Sequence, residues 1–451
     1  MTELHELSAL EQARRIREKA LRSEELVEHY LARITRLEGR YTPFVRTLRN
    51  RALLAARHAD RHRGEASNGP FWGVPTAIKD LFFVRGVLSQ LGTRALPPIP
   101  SPVDDLHARA VRDAGFVIVG KTTTSELALL PVVEPDIHAP TRNPWNVERT
   151  AGGSSGGAAA AIAARLLPIA PGSDGAGSIR IPAAYCGVYG HKPSKGSVPN
   201  PNEDLDELGM TAIGPLARTV EDGAALLDVL RGHRPDASGS FLTAARTRPP
   251  RMTIGLFVRS PLGRTDAACV EAAEQAAHAL ERAGHRVVPV AHMEASLDEF
   301  MPIYQRLLSR VPVLFESKLQ PVTKWFRERG RTVSAETARA LHDMLAARTL
   351  EAMHDCDLLL TPATAVLAPK VFATRDLSAE TAFRELAHLG AFTAAGNILG
   401  APASSVPWSI LDGMPLGVQL LGRPGEDARV IALARELESV RGGTFVPPGI
   451  A

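Results

Sequence analysis

The sequence is poor in cysteine. Cys186, Cys269 and Cys356 are the three cysteines among 451 residues, and they lie far apart. An odd number of scattered cysteines does not fit a disulfide framework, so we expect free thiols and a reducing compartment. The sequence also lacks a long uncharged apolar run, and its N-terminal segment is polar and charged, without the apolar stretch of a signal peptide. These absences predict a cytoplasmic protein with no membrane partner.

An excess of one charge is missing as well. Lys and Arg number 52 and Asp and Glu number 49, which gives a formal net charge of +3 at pH 7. So small a net charge on a long chain gives no basic footprint for nucleic acid. The hydrophobic fraction of 45% is sufficient for a large core. We therefore expect a single domain over residues 1–451 with no nucleic-acid partner, and the composition does not predict the oligomeric state.

Several common catalytic motifs are absent. The sequence contains no H-E-x-x-H, no paired C-x-x-C, no EF-hand loop and no P-loop, so no metal and no cofactor is expected. A G-x-S-x-G pattern occurs around Ser154 and again around Ser155, as in the nucleophile elbow of α/β-hydrolases. An elbow needs an apolar strand before the serine, whereas residues 141–151 are polar and interrupted by proline. An α/β-hydrolase with its nucleophile at Ser154 or Ser155 is therefore a disfavoured alternative.

The pattern along the chain predicts an α/β fold. Helical patterns occupy the N-terminal residues 1–66, and short apolar strands alternate with helices over residues 71–230, which we assign to a catalytic core. Residues 252–290 fit a strand, a helix and a second strand. Residues 295–355 are almost wholly helical and predict an insertion or cap. Its apolar residues at helical spacing include Phe300, Met301, Tyr304 and Leu307.

Three segments, taken together, point to a particular chemistry. Lys79 lies in GVPTAIKD, Ser154 in AGGSSGGAAAA and Ser178 in PGSDGAGSIRIPAAYCGVYGHKPS. In order and spacing these segments resemble the amidase signature family. The resemblance covers residues 71–199 and, more weakly, the C-terminal segments NILGAPASSVP and GMPLGVQLLGRPGED.

This resemblance implies a fold and a set of roles. The fold would be a mixed central β-sheet covered by helices on both sides, with a helical insertion. Ser178 matches the family's nucleophile, Ser154 its bridging serine after a cis peptide bond, and Lys79 its base. The expected reaction is hydrolysis of the C–N bond of a small amide through an acyl-enzyme on Ser178. Carbamates and esters are possible substrates of such a site, and the chain could be an amidase or a urethanase-like member.

The chemistry of these residues is consistent with those roles. A serine hydroxyl needs a base in contact, and a Ser-Lys arrangement can replace Ser-His-Asp. Lysine can act as a base only while neutral, and the apolar residues before Lys79 favour the neutral form by desolvation. Backbone N–H groups of Gly175, Ala176, Gly177 and Ser178 could form the oxyanion hole. The family usually has threonine and then glycine where this chain has Gly175 and Ala176. Asp174 and Arg180 match positions that we interpret as structural.

Two further alternatives remain open. The first is the amidase subunit of a tRNA-dependent amidotransferase acting on glutamine, although residues 125–141 depart from the Gly/Ser-rich loop expected there. The second is a catalytically silent binding or scaffold protein, disfavoured because Lys79, Ser154 and Ser178 are all present. We also expect the helical segment to cover the site and to favour neutral, apolar amides, anilides or carbamates. Simple packing of that segment onto the body explains its apolar residues equally well.

Overall fold

The structure is a computed structural model that describes residues 3–65, 69–201, 203–235, 237–291 and 293–450. The predicted boundary at residue 66 lies outside these residues. The α-helices in the described ranges are α1 (Ala9–Arg17), α2 (Ser23–Tyr41), α3 (Arg49–Arg61), α4 (Leu106–Asp113), α5 (Gly156–Ala163), α6 (Arg180–Cys186), α7 (Val220–Leu230), α8 (Phe241–Ala245), α9 (Ala267–Arg282), α10 (Leu297–Ser309), α11 (Pro321–Gly330), α12 (Ala335–Ala352), α13 (Ala379–Ala387), α14 (Ala394–Ile398) and α15 (Asp427–Arg441).

The strands form two sheets. They are β1 (Phe44–Thr47), β2 (Pro75–Lys79), β3 (Val117–Thr122), β4 (Ile169–Asp174), β5 (Tyr189–Lys192), β6 (Ala212–Ala217), β7 (Thr253–Leu256), β8 (Arg286–Pro289), β9 (Leu358–Pro362), β10 (Ala403–Leu411) and β11 (Met414–Leu421). The smaller sheet has the order β1-β3-β2, and the larger has the order β4-β6-β5-β10-β11-β9-β7-β8. β2 contacts β4, where the Thr76 hydroxyl donates to the Ile169 carbonyl at 2.9 Å.

The predicted fold class is confirmed. The large sheet is mixed, because β7 pairs in parallel with β8 and β9 while β4, β5, β6, β10 and β11 pair antiparallel, and helices flank it. The predicted strand-helix-strand unit corresponds to β7, α9 and β8, with the two strands parallel. All three cysteines are buried free thiols. No helix in the described ranges has the length and apolar character needed to cross a bilayer.

Two parts of this fold position the candidate site. β2, β4 and α5 are buried at every residue, so the polar groups they carry are withdrawn from solvent. The predicted helical segment forms α10, α11 and α12, and α11 also contacts α13. Aromatic rings join these helices, with the Tyr304 and Phe326 centroids 5.8 Å apart and those of Phe326 and Phe383 4.4 Å apart. The insertion is thus packed onto the C-terminal part of the chain.

Candidate active site

Lys79 is the last residue of β2 and is completely buried. The apolar strand residues before it bring its side chain into the interior, and β2 pairs in parallel with β3, where Lys79 lies opposite Thr122. Burial disfavours the ammonium form and lowers the pKa of Lys79 from 10.5 to about 7, although the Asp174 carboxylate acts in the opposite direction. A substantial fraction of Lys79 is therefore neutral near pH 7.

Three serine hydroxyls surround the Lys79 amine. Its Nζ atom lies 2.7 Å from Ser154 Oγ, 2.8 Å from Ser173 Oγ and 3.0 Å from Ser155 Oγ. An ammonium would donate to all three, whereas a neutral amine has two hydrogens and one lone pair, so one hydroxyl must donate to it. Ser155 Oγ already donates to the Ser173 carbonyl at 3.2 Å. The lone pair is therefore available to Ser154 or Ser173, and Ser154 has the shorter contact.

Backbone contacts of the neighbouring residues Gly153 and Ser155 fix the position of Ser154. A cis peptide bond joins it to Gly153, as the resemblance implies. A β-carbon on Gly153 would lie 2.8 Å from the Val132 nitrogen, so no larger residue fits there without a shift. The next residue, Ser155, donates its N–H to the Ser178 carbonyl at 3.0 Å. This backbone bond connects the segment that carries Ser154 to the segment that carries Ser178.

Ser178 lies in the short loop between β4 and α6. The Asp174 carboxylate organises this loop, because it accepts hydrogen bonds from the N–H groups of Gly177 at 2.7 Å and Ile179 at 3.1 Å. Gly177 has a φ of +131°, and a β-carbon there would lie 2.1 Å from Thr393 Oγ1. Ala176, where the family usually has glycine, is compatible with this loop conformation, since the residue with a positive φ is Gly177 and not Ala176.

The backbone N–H groups expected to form an oxyanion hole are not equivalent. That of Gly177 is already engaged by Asp174 Oδ1. Within the described residues, the N–H groups of Gly175, Ala176 and Ser178 have no protein acceptor. These three N–H groups remain available to a substrate oxygen. Of the four donors that the sequence suggests for the oxyanion hole, Gly177 is the one already hydrogen-bonded to Asp174.

Arg180 anchors this loop to the C-terminal part of the chain. Its guanidinium donates to Asp174 Oδ1 at 2.8 Å, to Asn397 Oδ1 at 2.6 Å and to Gln419 Oε1 at 2.7 Å. All four side chains are fully or almost fully buried. The structural interpretation of Asp174 and Arg180 agrees with these contacts. The sequence did not single out Asn397 or Gln419, although both lie in the C-terminal segments that resemble the family.

An apolar cavity adjoins Ser178. Ser178 is 8% exposed and lines this cavity, whereas Lys79 and Ser154 are completely buried behind it. None of the described residues that line the cavity is charged. Of the predicted apolar set, Phe300 and Tyr304 line the cavity, while Met301 and Leu307 pack in an adjoining apolar cluster that also includes Ala95 and Leu127. The insertion thus contributes to the wall of the cavity with part of its apolar residues.

The nucleophile elbow of an α/β-hydrolase is not formed. Ser155 precedes α5, and the residues before Ser154 contribute an isolated bridge between Arg142 and Thr150 instead of a strand. The group in contact with Ser154 is Lys79 instead of a histidine. The arrangement contradicts the elbow alternative.

Comparison with known proteins assigns the family. The model of the Amidase family matches residues 25–431. The chain belongs to the amidase signature family. One relative is the 6-aminohexanoate-cyclic-dimer hydrolase of Paenarthrobacter ureafaciens, to which the chain is 35% identical over 420 residues, covering 84% of this chain and 85% of that enzyme.

A second relative of this amidase is named for an amidotransferase. A glutamyl-tRNA(Gln) amidotransferase subunit of Carboxydothermus hydrogenoformans is 32% identical over 478 residues, with 97% of each chain covered. Among solved structures, that of a 6-aminohexanoate cyclic dimer hydrolase complexed with substrate superposes with a TM-score of 0.87 at 29% identity, covering 100% of both chains. The chain is thus an amidase signature hydrolase that acts on amides.

Proposed function

We propose that this amidase hydrolyses the C–N bond of a small, neutral amide through an acyl-enzyme on Ser178. One observation carries the proposal: the buried Lys79, whose pKa is lowered to about 7, hydrogen-bonds Ser154, while Ser178 opens onto the cavity. A neutral amine at that position can remove a proton, and a serine at the cavity surface can reach a carbonyl carbon.

The proposed first half-reaction begins at Ser178. Its Oγ attacks the scissile carbonyl carbon, its proton passes to Ser154, and the proton of Ser154 passes to Lys79 Nζ. The tetrahedral oxyanion accepts hydrogen bonds from the free N–H groups of Gly175, Ala176 and Ser178. When the C–N bond breaks, the Lys79 ammonium returns a proton through Ser154 to the leaving nitrogen. The amine departs and an ester on Ser178 remains.

The second half-reaction uses the same groups with water. Water attacks the ester carbonyl and loses its proton through Ser154 to Lys79. The tetrahedral intermediate then expels Ser178 Oγ, which regains the proton. The products are a carboxylic acid and an amine, or, from a carbamate, an amine and a carbonic-acid monoester.

The lining of the cavity supports a neutral substrate. Glutamine carries an ammonium and a carboxylate, and the described lining residues offer neither group a charged partner. This argues for amides, anilides or carbamates without charge and against the amidotransferase alternative, which the similarity to an amidotransferase component keeps open. We further propose that the enzyme works in the cytoplasm without a nucleic-acid partner.

The experiment uses the purified chain alone. We expect it to hydrolyse a neutral aryl amide or aryl carbamate with a kcat/KM at least about 100-fold above that for glutamine, since an unpaired charge in an apolar site costs about 3 kcal/mol or more. Ser178→Ala is the control and should abolish both activities. A clear preference for glutamine would overturn the neutral-substrate proposal and favour the amidotransferase alternative.

A further inference from the structure

Tyr304 brings a polar group from the insertion to the nucleophile loop. It lies on α10, and its ring contacts those of Phe300 and Phe326, with centroids 5.7 and 5.8 Å away. It lines the same cavity as Ser178. A β-carbon on Gly175 would lie 3.6 Å from the Tyr304 hydroxyl oxygen. The phenol hydroxyl therefore lies beside the loop that carries the proposed nucleophile.

This hydroxyl has no hydrogen-bond partner within the described residues. Other hydroxyls in the lining are already committed: Ser296 Oγ bonds Glu299 in the N-terminal cap of α10, and Thr349 Oγ1 donates to the Leu345 carbonyl at 2.8 Å. Burial raises the pKa of the Tyr304 phenol, so it keeps its proton at neutral pH. Apart from Ser178, Tyr304 is the described side chain of the lining whose hydroxyl remains free to donate to a ligand.

An unpaired donor in an apolar wall selects for an acceptor on the ligand. Pockets of this kind gain specificity from a few well-placed polar groups among apolar ones. A site built to hydrogen-bond a ligand discriminates against the analogue that lacks the partner, because the buried donor is then left unpaired. The scissile carbonyl has the N–H groups of Gly175, Ala176 and Ser178 available to it, so the phenol is left for a different atom of the substrate.

We propose that the Tyr304 hydroxyl donates a hydrogen bond to a second, uncharged acceptor oxygen of the substrate, distinct from the scissile carbonyl oxygen. Tyr304 is then a specificity-determining residue. It selects neutral amides or carbamates that carry an ether, ester or second carbonyl oxygen within reach of the loop. This inference rests on the proposed function of the same site.

The test uses matched p-nitroanilides whose acyl chains have equal length. One chain is all carbon, and in the others a single methylene at successive positions is replaced by an ether oxygen. For wild-type enzyme we expect one position at which oxygen lowers KM by about three- to tenfold, the range of one neutral hydrogen bond. In Tyr304→Phe that preference disappears, so that the KM values of the oxygen-containing and the all-carbon substrates become equal. Thermal stability should be unchanged, because the hydroxyl has no protein partner to lose.

Tyr30→Phe is the matched control, since it removes the hydroxyl of a buried tyrosine that does not line the cavity. The Tyr30 hydroxyl accepts a hydrogen bond from Gln12 Nε2 at 2.8 Å, so its loss should lower the melting temperature. It should not change the ratio of the KM values of the all-carbon substrate and the preferred ether-containing substrate. Wild-type enzyme without an oxygen preference at any position, or a preference that survives in Tyr304→Phe, would overturn the role of Tyr304. If these anilides are cleaved all the same, the proposed function stands without it. If neither they nor other neutral amides and carbamates are cleaved, the proposed function itself fails.

Discussion

The contacts of Lys79 explain why its side chain can act as a base. The amine faces three hydroxyls and, among the described residues, no carboxylate at hydrogen-bond distance. The Asp174 carboxylate favours the ammonium form without contacting it, and the effect of burial on the pKa is the larger one. Lys192 provides a comparison within the same chain. It is also fully buried with its pKa lowered to about 7, chiefly by burial and secondarily by the Arg180 charge, but its Nζ donates to the Pro193 carbonyl at 2.8 Å instead of a serine. Burial alone does not make a lysine a candidate base; the adjacent Ser154 does.

The pH dependence of the reaction follows from Lys79. Only the neutral amine can accept the serine proton, and its fraction grows as pH rises through the pKa of about 7. We therefore expect kcat/KM to rise with pH, with a single ionisation near 7, and to level off above it. Lys79→Ala should lose the activity and the ionisation, whereas Lys192→Met should keep the ionisation. If the pH profile of kcat/KM loses the ionisation near 7 in Lys192→Met but keeps it in Lys79→Ala, Lys79 is not the base.

The relay role of Ser154 can be separated from a merely structural one. Esters with activated leaving groups need little protonation, so Ser154→Ala should reduce amide hydrolysis about tenfold or more beyond its effect on a matched aryl ester. Ser155→Ala is the control, because Ser155 is equally buried and also contacts Lys79, at 3.0 Å. We expect it to reduce both reactions to the same extent. An unchanged amide-to-ester ratio in Ser154→Ala, measured from kcat/KM, argues against the relay.

At the scale of elements, the loop between β4 and α6 sets the geometry of the site. Its conformation depends on Gly177, where a positive φ and the close Thr393 hydroxyl both exclude a side chain. Gly175 has no such restriction: its φ lies outside the left-handed region, and a β-carbon would meet Thr211 Cγ2 at 3.5 Å, an ordinary contact. Two glycines two residues apart therefore have different requirements.

This difference predicts opposite outcomes for two alanine variants. Gly177→Ala should lower stability by about 2 kcal/mol and kcat by about tenfold or more, because the loop must shift to relieve the strain and the contact. Gly175→Ala should remain close to wild type in both. Thermal unfolding and steady-state kinetics of the two proteins measure this, and equal behaviour of the pair would refute the proposed constraint.

The insertion illustrates what helical periodicity can and cannot predict. The spacing of its apolar residues correctly indicates helices, since that pattern is local. It does not indicate that Phe300 and Tyr304 line the cavity while Met301 and Leu307 pack in the adjoining apolar cluster. Which side of a helix faces a cavity depends on tertiary contacts, here those of α10 with α11 and α12. The sequence also does not predict strands β4, β5 and β6, for a different reason. They lie in or beside the glycine-rich region, where the alternation of apolar and polar residues that is typical of a strand is weak.

At the scale of the whole molecule, distant segments of the chain meet at Arg180. Its guanidinium donates hydrogen bonds to Asp174, Asn397 and Gln419. Asn397 and Gln419 both lie more than 200 residues after Arg180 in the sequence. The sequence predicts roles for Lys79, Ser154, Ser178, Asp174 and Arg180, because each lies in a short motif that resembles the family. These motifs do not assign contacts across the fold, since a polar residue such as Gln419 in a strand has no local signature of its partner.

Disruption of this junction should destabilise the whole fold. Arg180→Met leaves the Asp174 carboxylate buried without its cation, which costs about 3–5 kcal/mol. Chemical denaturation should show that loss, and the double variant Asp174→Asn, Arg180→Met should recover part of it, because no unpaired charge remains. A single variant as stable as wild type would mean that Arg180 is not the anchor of the loop.

The central claim, that Ser178 forms the acyl-enzyme, is tested most directly by covalent labelling. The purified chain is treated with a fluorophosphonate, digested and examined by mass spectrometry, with Ser178→Ala and Ser154→Ala treated in parallel. We predict one modified site, Ser178, in the wild type, no modification in Ser178→Ala, and slower modification of Ser178 in Ser154→Ala. A label on Ser154, Ser155 or any other residue of the wild type, or undiminished labelling of Ser178→Ala, would contradict the assignment.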